Sequence, residues 1–79
     1  MLVRVFVLIQ TEIEVAKTAD VVAALKKLGG EIKSVDSVTG PYDIIALLEA
    51  GSLNEIGTII DSKIQSVAGV YRTITCLAI

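Results

Sequence analysis

Histidine and tryptophan are absent from the sequence, and cysteine, proline and phenylalanine each occur once. Without histidine there is no side chain that titrates unaided near neutral pH for acid–base catalysis, and no imidazole for a zinc or copper site. A lone cysteine, Cys76, excludes an internal disulfide. It falls inside a strand-like run beside no activating base, so it reads as a small buried hydrophobe rather than a nucleophile. Long apolar runs are missing too: the longest uncharged stretch, Ile64 to Tyr71, is far shorter than the roughly 18–20 apolar residues of a membrane span. The N-terminal run carries Arg4 inside it and no small-residue cleavage site, which does not fit a signal peptide, so a cytosolic location is expected. Concentrated positive charge is also lacking. Seven basic residues stand against nine acidic ones for a net charge of −2, and only Lys26 and Lys27 are adjacent, so no basic stripe offers itself to nucleic acid. Neither GxGxxG nor GxxxxGK[ST] occurs, no phosphate-cradling loop is expected, and no cofactor is called for.

What the chain does have is aliphatic mass. Hydrophobic residues make up 53% of the 79 and aromatics only 4%, the bulk being Val, Ile, Leu and Ala. A chain of this length forms one domain and buries about 60–65% of the surface it exposes when unfolded. Domains this small commonly gain stability from disulfides, metals or oligomerisation. With the first two nearly excluded, oligomerisation remains.

Residues 2–10 predict a strand, with Val3, Val5, Val7 and Ile9 on one face and Arg4, Phe6, Leu8 and Gln10 on the other. After a connection over 11–17, Thr18 or Asp20 is placed to cap a helix that buries Val21, Val22, Leu25 and Leu28 and stops at Gly29-Gly30. A second strand spans 31–38, Thr39-Gly40-Pro41 turns the chain, and a third strand spans 42–50. Ser52-Leu53-Asn54-Glu55 matches a capping box, opening a helix with Leu53, Ile56, Ile60 and Ile64 as its buried stripe. Gly69 breaks the chain before a last strand over 70–79. The order β-α-β-β-α-β is that of the α+β, ferredoxin-like fold, an antiparallel sheet with both helices on one face. Since the first and last strands are apolar on both sides, the uncovered face is expected to pack on its copy in a two-fold dimer.

Chemistry-bearing residues are few. Asp43 and Glu49 share a strand face but lie about 20 Å apart, too far for a carboxylate pair. Asp43 in the hairpin suits an ammonium group, while Thr73, Thr75 and loop amides suit a carboxylate; together these are the needs of a free α-amino acid. The same residues also fit a plain turn, with Asp43 bonded to backbone amides and the threonines as ordinary strand residues.

Val38-Thr39-Gly40-Pro41-Tyr42-Asp43 before an apolar strand, then a helix, then Gly69-Val70-Tyr71-Arg72-Thr73-Ile74-Thr75, resembles the effector-binding (RAM) domain of the Lrp/AsnC regulators of amino-acid metabolism. The resemblance covers essentially the whole chain. It implies a dimer of face-packed sheets, assembled into rings that are often octamers or decamers. It also implies small-molecule effectors, usually amino acids, held between neighbouring dimers near the hairpin turn. It nominates Gly40, Tyr42, Asp43, Thr73 and Thr75 as ligand-binding residues. The family's regulators carry a helix-turn-helix ahead of this domain, whereas the first strand here begins at Leu2. The expectation is a stand-alone, non-catalytic module that senses an amino acid and acts through a full-length regulator. Two other bearers of this topology are weighed beside it: a small dimeric α/β-barrel enzyme, and an ACT domain, whose ligand would lie nearer residues 11–20.

Overall fold

A computed structural model describes residues 1–79. The elements are β1 (Val3–Thr11), α1 (Thr18–Leu28), β2 (Ile32–Ser37), β3 (Ile44–Ala50), α2 (Leu53–Ile59) continued by one π-helical turn (Ile60–Ile64), and β4 (Val70–Leu77). The strands form one antiparallel sheet in the order β2-β3-β1-β4, the ferredoxin-like arrangement expected from the sequence.

Strand alternation builds the core. Val5, Val7 and Ile9 of β1 pair with Leu48, Ala46 and Ile44 of β3, and all six are wholly buried beneath the helices. Val21 and Leu25 of α1 cover the sheet together with Ile56, Ile59, Ile60 and Ile64 from the second helix. The opposite face carries no helix. Phe6 and Leu8 of β1, Ile45 and Leu47 of β3, and Ile74 and Cys76 of β4 form its centre by register, and Arg4 pairs with Glu49 across strands at 3.2 Å on its rim.

Four details depart from the sequence-based expectation. Cys76 is exposed rather than buried, because β4 is an edge strand and this residue points to the uncovered face. Leu53 is 53% exposed; as the first helical residue it projects beyond the sheet, and Ile59 takes its place in the buried stripe. Neither Thr18 nor Asp20 caps α1: Lys17 occupies the cap position with no side-chain bond, and the Thr18 hydroxyl turns instead toward Thr11. The π turn has no local sequence signal. In regular α geometry Ile64 would sit about 80° around the helix from Ile56; one wider turn, closed by the Gln65 N–H on the Ile60 carbonyl at 2.9 Å, brings it back over the sheet. The predicted capping box at Ser52 does form: the Glu55 N–H donates to Ser52 Oγ at 3.2 Å, while the Glu55 carboxylate reaches back to the Gly51 N–H at 3.1 Å.

Gly69 joins the second helix to β4 with φ +95°. A Cβ there would lie 2.7 Å from Val21 Cγ2 and 2.9 Å from Ala16 Cβ, so only glycine lets this turn close against α1. Its carbonyl accepts from the Glu12 N–H at 2.8 Å, tying the β1–α1 connection to the start of β4.

Candidate functional site

The β2–β3 hairpin arrives at the end of β1 through one residue, Asp43. Its N–H donates to the Ile9 carbonyl and its own carbonyl accepts from the Val38 N–H, both at 2.9 Å, so its backbone ties the start of β3 to β1 on one side and to the end of β2 on the other. With that carbonyl used, the ladder to β1 is continued by the side chain: Asp43 Oδ2 accepts from the Thr11 N–H at 2.8 Å and from the Thr11 hydroxyl at 3.1 Å. Thr11 Oγ1 lies 3.3 Å from Thr18 Oγ1, so the first residue of α1 joins the same cluster. Both bonds at the carboxylate fall on Oδ2. Oδ1 has no partner within the chain, and the residue is half-buried.

Around this carboxylate the turn leaves donors free. The N–H groups of Thr39, Gly40 and Tyr42 donate to nothing in the chain, and Pro41 has none to give. Gly40, at φ +127°, turns the backbone in a way other residues strongly resist, with open space where a Cβ would stand. Beside the turn is a cavity of about 340 Å³ lined by Leu8, Val38, Thr39, Pro41, Tyr42 and Ile45. Two other concavities exist. One of about 370 Å³, lined by Gln10, Thr11, Glu12, Ile13, Glu14 and Tyr71, lies at the β1–α1 connection. The second, about 430 Å³, runs along the polar side of α2 past Glu31, Asn54, Thr58, Ser62 and Lys63.

Three of the five residues nominated from sequence, Gly40, Tyr42 and Asp43, are thus together in the hairpin. The threonines are not with them. Thr73 and Thr75 pair with Ile9 and Val7, so they lie on the helix-bearing side of β4, and β1 separates β4 from β3 by two strand spacings, about 10 Å. Thr73 Oγ1 accepts from Gln65 Nε2 at 2.9 Å, and Thr75 is exposed. Within one chain the nominated set is two groups, not one pocket. Thr11 and Thr18 are absent from the sequence-based site because a contact spanning 32 residues, Thr11 to Asp43, leaves no local pattern. Leu8 and Ile45 were readable only as strand residues.

The family model described as "Lrp/AsnC ligand binding domain" matches residues 4–79. Comparison with the curated proteins finds no match. Among solved structures, TTHA0845 from Thermus thermophilus is 32% identical with a TM-score of 0.86, the alignment covering 98% of this chain and 92% of that one. The hypothetical protein PHS023 from Pyrococcus horikoshii is 29% identical with a TM-score of 0.83, covering 100% of this chain and 90% of its own. The transcriptional regulator NMB0573 from Neisseria meningitidis, solved as its L-Met complex, shares 16% identity and the fold, at a TM-score of 0.84; the alignment covers 98% of this chain and 49% of that one.

Proposed function

Because the chain belongs to the Lrp/AsnC ligand-binding domain family, we propose that it is a regulatory module that binds a free amino acid at the β2–β3 hairpin and passes that signal through its own assembly and through a full-length regulator. The observation that carries this reading is the hairpin itself: a carboxylate held by Thr11 with one oxygen left open, beside three unpartnered amide donors. An α-ammonium group donates to a carboxylate, and an α-carboxylate accepts from amides, so both poles of the zwitterion are met. The L-Met complex of the Neisseria regulator supports the same class of effector.

In this reading the uncovered sheet face packs on a second copy. Phe6, Leu8, Leu47 and Ile74 then leave water, and rings of dimers bring the hairpin of one chain near β4 of another. That arrangement gives Thr73 and Thr75 a place at the site of a neighbouring chain. No metal or cofactor enters, and the activity is binding rather than turnover.

Thermal-shift and calorimetric titration of the purified protein against the common amino acids tests it. A ligand at about 100 times its dissociation constant raises stability by about 2.7 kcal/mol. A selective shift that disappears in Asp43→Asn is expected. Absence of binding by every amino acid, or undiminished binding by Asp43→Asn, would sink the reading. An ACT-like site has one observation in its favour, the cavity at residues 10–14. Amide-exchange protection at 11–20 without protection at 39–43 would move the ligand there.

A further inference from the structure

We infer that Thr18, the first residue of α1, is a positioning residue for the hairpin site: its hydroxyl holds the Thr11 hydroxyl, which in turn holds the Asp43 carboxylate with Oδ1 left free. The inference rests on the hairpin reading above and deepens it by naming a residue outside the site that sets its geometry.

Bond direction along the cluster is fixed by chemistry. A carboxylate only accepts, so the single proton of the Thr11 hydroxyl goes to Asp43 Oδ2, 3.1 Å away. Thr11 Oγ1 then has only lone pairs to offer Thr18 Oγ1 at 3.3 Å, which makes Thr18 the donor. The three side chains form one directed chain, Thr18 to Thr11 to Asp43, in which each bond polarises the next. All three residues are half-buried, so water competes only in part for these bonds.

The chain acts on the orientation of the carboxylate. Oδ2 takes both of its bonds from one residue, the Thr11 N–H at 2.8 Å and the Thr11 hydroxyl. With the N–H alone the carboxylate could swing about that bond; the second donor fixes its plane, and with it the direction of Oδ1. That second donor depends on the χ1 rotamer of Thr11, and a threonine has few staggered choices. Thr18 is the group that favours the rotamer in use. Helix capping does not account for its placement, since Lys17 holds the cap position without a side-chain bond and Thr18 is already inside α1. The strand end departs from regularity at the same point: the β1–β4 register shifts between Gln10 and Thr11, at the residue that carries the middle link.

Calorimetry and amide exchange on the purified full chain test this, with the common L-amino acids as probes, L-methionine first. Thr18→Val, nearly the same size and lacking the hydroxyl, is expected to weaken binding about fivefold and to speed exchange of the Thr11 amide by a similar factor. Thr18→Ser, which keeps the hydroxyl, is expected to restore both. In a Thr11→Val background the Thr18→Val change should add nothing, because the chain is already broken. Thr58→Val removes a hydroxyl from α2, one bonded to the Asn54 carbonyl, and should leave affinity and Thr11 exchange unchanged. A Thr18→Val protein that melts lower yet binds as tightly as wild type makes Thr18 a structural residue only and overturns the inference; so does a loss that Thr18→Ser fails to restore. In either case, binding that still vanishes in Asp43→Asn leaves the hairpin reading standing. Failure of every amino acid to bind overturns the two together.

Discussion

At the scale of single residues, Asp43 holds Thr11 and, in the proposed function, also meets the ligand, and different substitutions separate the two roles. Asp43→Asn keeps an oxygen for the Thr11 N–H and hydroxyl while removing the charge, so it is expected to fold with little loss of stability and to lose the ammonium of the ligand. Asp43→Ala also strips the partner from the Thr11 N–H, for which we expect a loss of about 2 kcal/mol in urea unfolding. Equal stability of the two variants would show that Thr11 gains nothing from the side chain. Two glycines provide the opposite contrast. Gly69→Ala meets Val21 and Ala16 at impossible distances on a left-handed backbone, and a loss of about 2–4 kcal/mol is expected. Gly40→Ala meets nothing, so only backbone strain remains, about 1–2 kcal/mol. Its effect should show more in ligand affinity than in melting temperature, because the free amide of Gly40 shifts when its φ relaxes.

At the scale of elements, what was legible in the sequence is what repeats over a few residues. The alternation Val5-Val7-Ile9 and the capping box at Ser52 each name their element, and both are present where expected. Ser52→Ala should cost about 1 kcal/mol, measured by thermal unfolding, and a smaller effect would mean that the Glu55 carboxylate on the Gly51 N–H carries the cap alone. What was not legible depends on how elements meet. Ile64 is buried as the helical stripe predicted, but the widened turn over Ile60–Ile64 that carries it is not contained in a 3.6-residue pattern. Thr18 looks like a cap from its residue type and its position before a helical stripe, yet its hydroxyl faces Thr11 once β1 and α1 pack. The hairpin carboxylate was readable as a ligand candidate and as a backbone partner; Oδ2 is committed to the second role, which leaves Oδ1 for the first.

At the scale of the whole molecule, the two sides of the sheet behave as two different surfaces. One is closed over β1 and β3, where Val5, Val7, Ile9, Ile44, Ala46 and Leu48 are wholly shielded by the helices, while Thr75 and Leu77 of edge strand β4 stay exposed on that side. The other presents Phe6, 38% exposed, and Ile74, 41% exposed, inside a rim that carries the Arg4–Glu49 pair. If that face packs on a second copy as proposed, Phe6→Asp would place a charge at the centre of the interface and is expected to give monomers in sedimentation at micromolar concentration while leaving the helix-side core intact. A wild-type protein that sediments as a monomer under those conditions would refute the face-to-face dimer outright. Leu8 and Ile45 belong both to that face and to the wall of the hairpin cavity. If the proposed dimer and the proposed site both hold, sharing two side chains between seam and cavity would make the two equilibria reciprocal: whatever factor association adds to ligand affinity, the ligand would return to association. Under that proposal dilution would become an input in its own right: the half-saturation point in a titration would drift with protein concentration, and the domain would report its own abundance together with that of its effector.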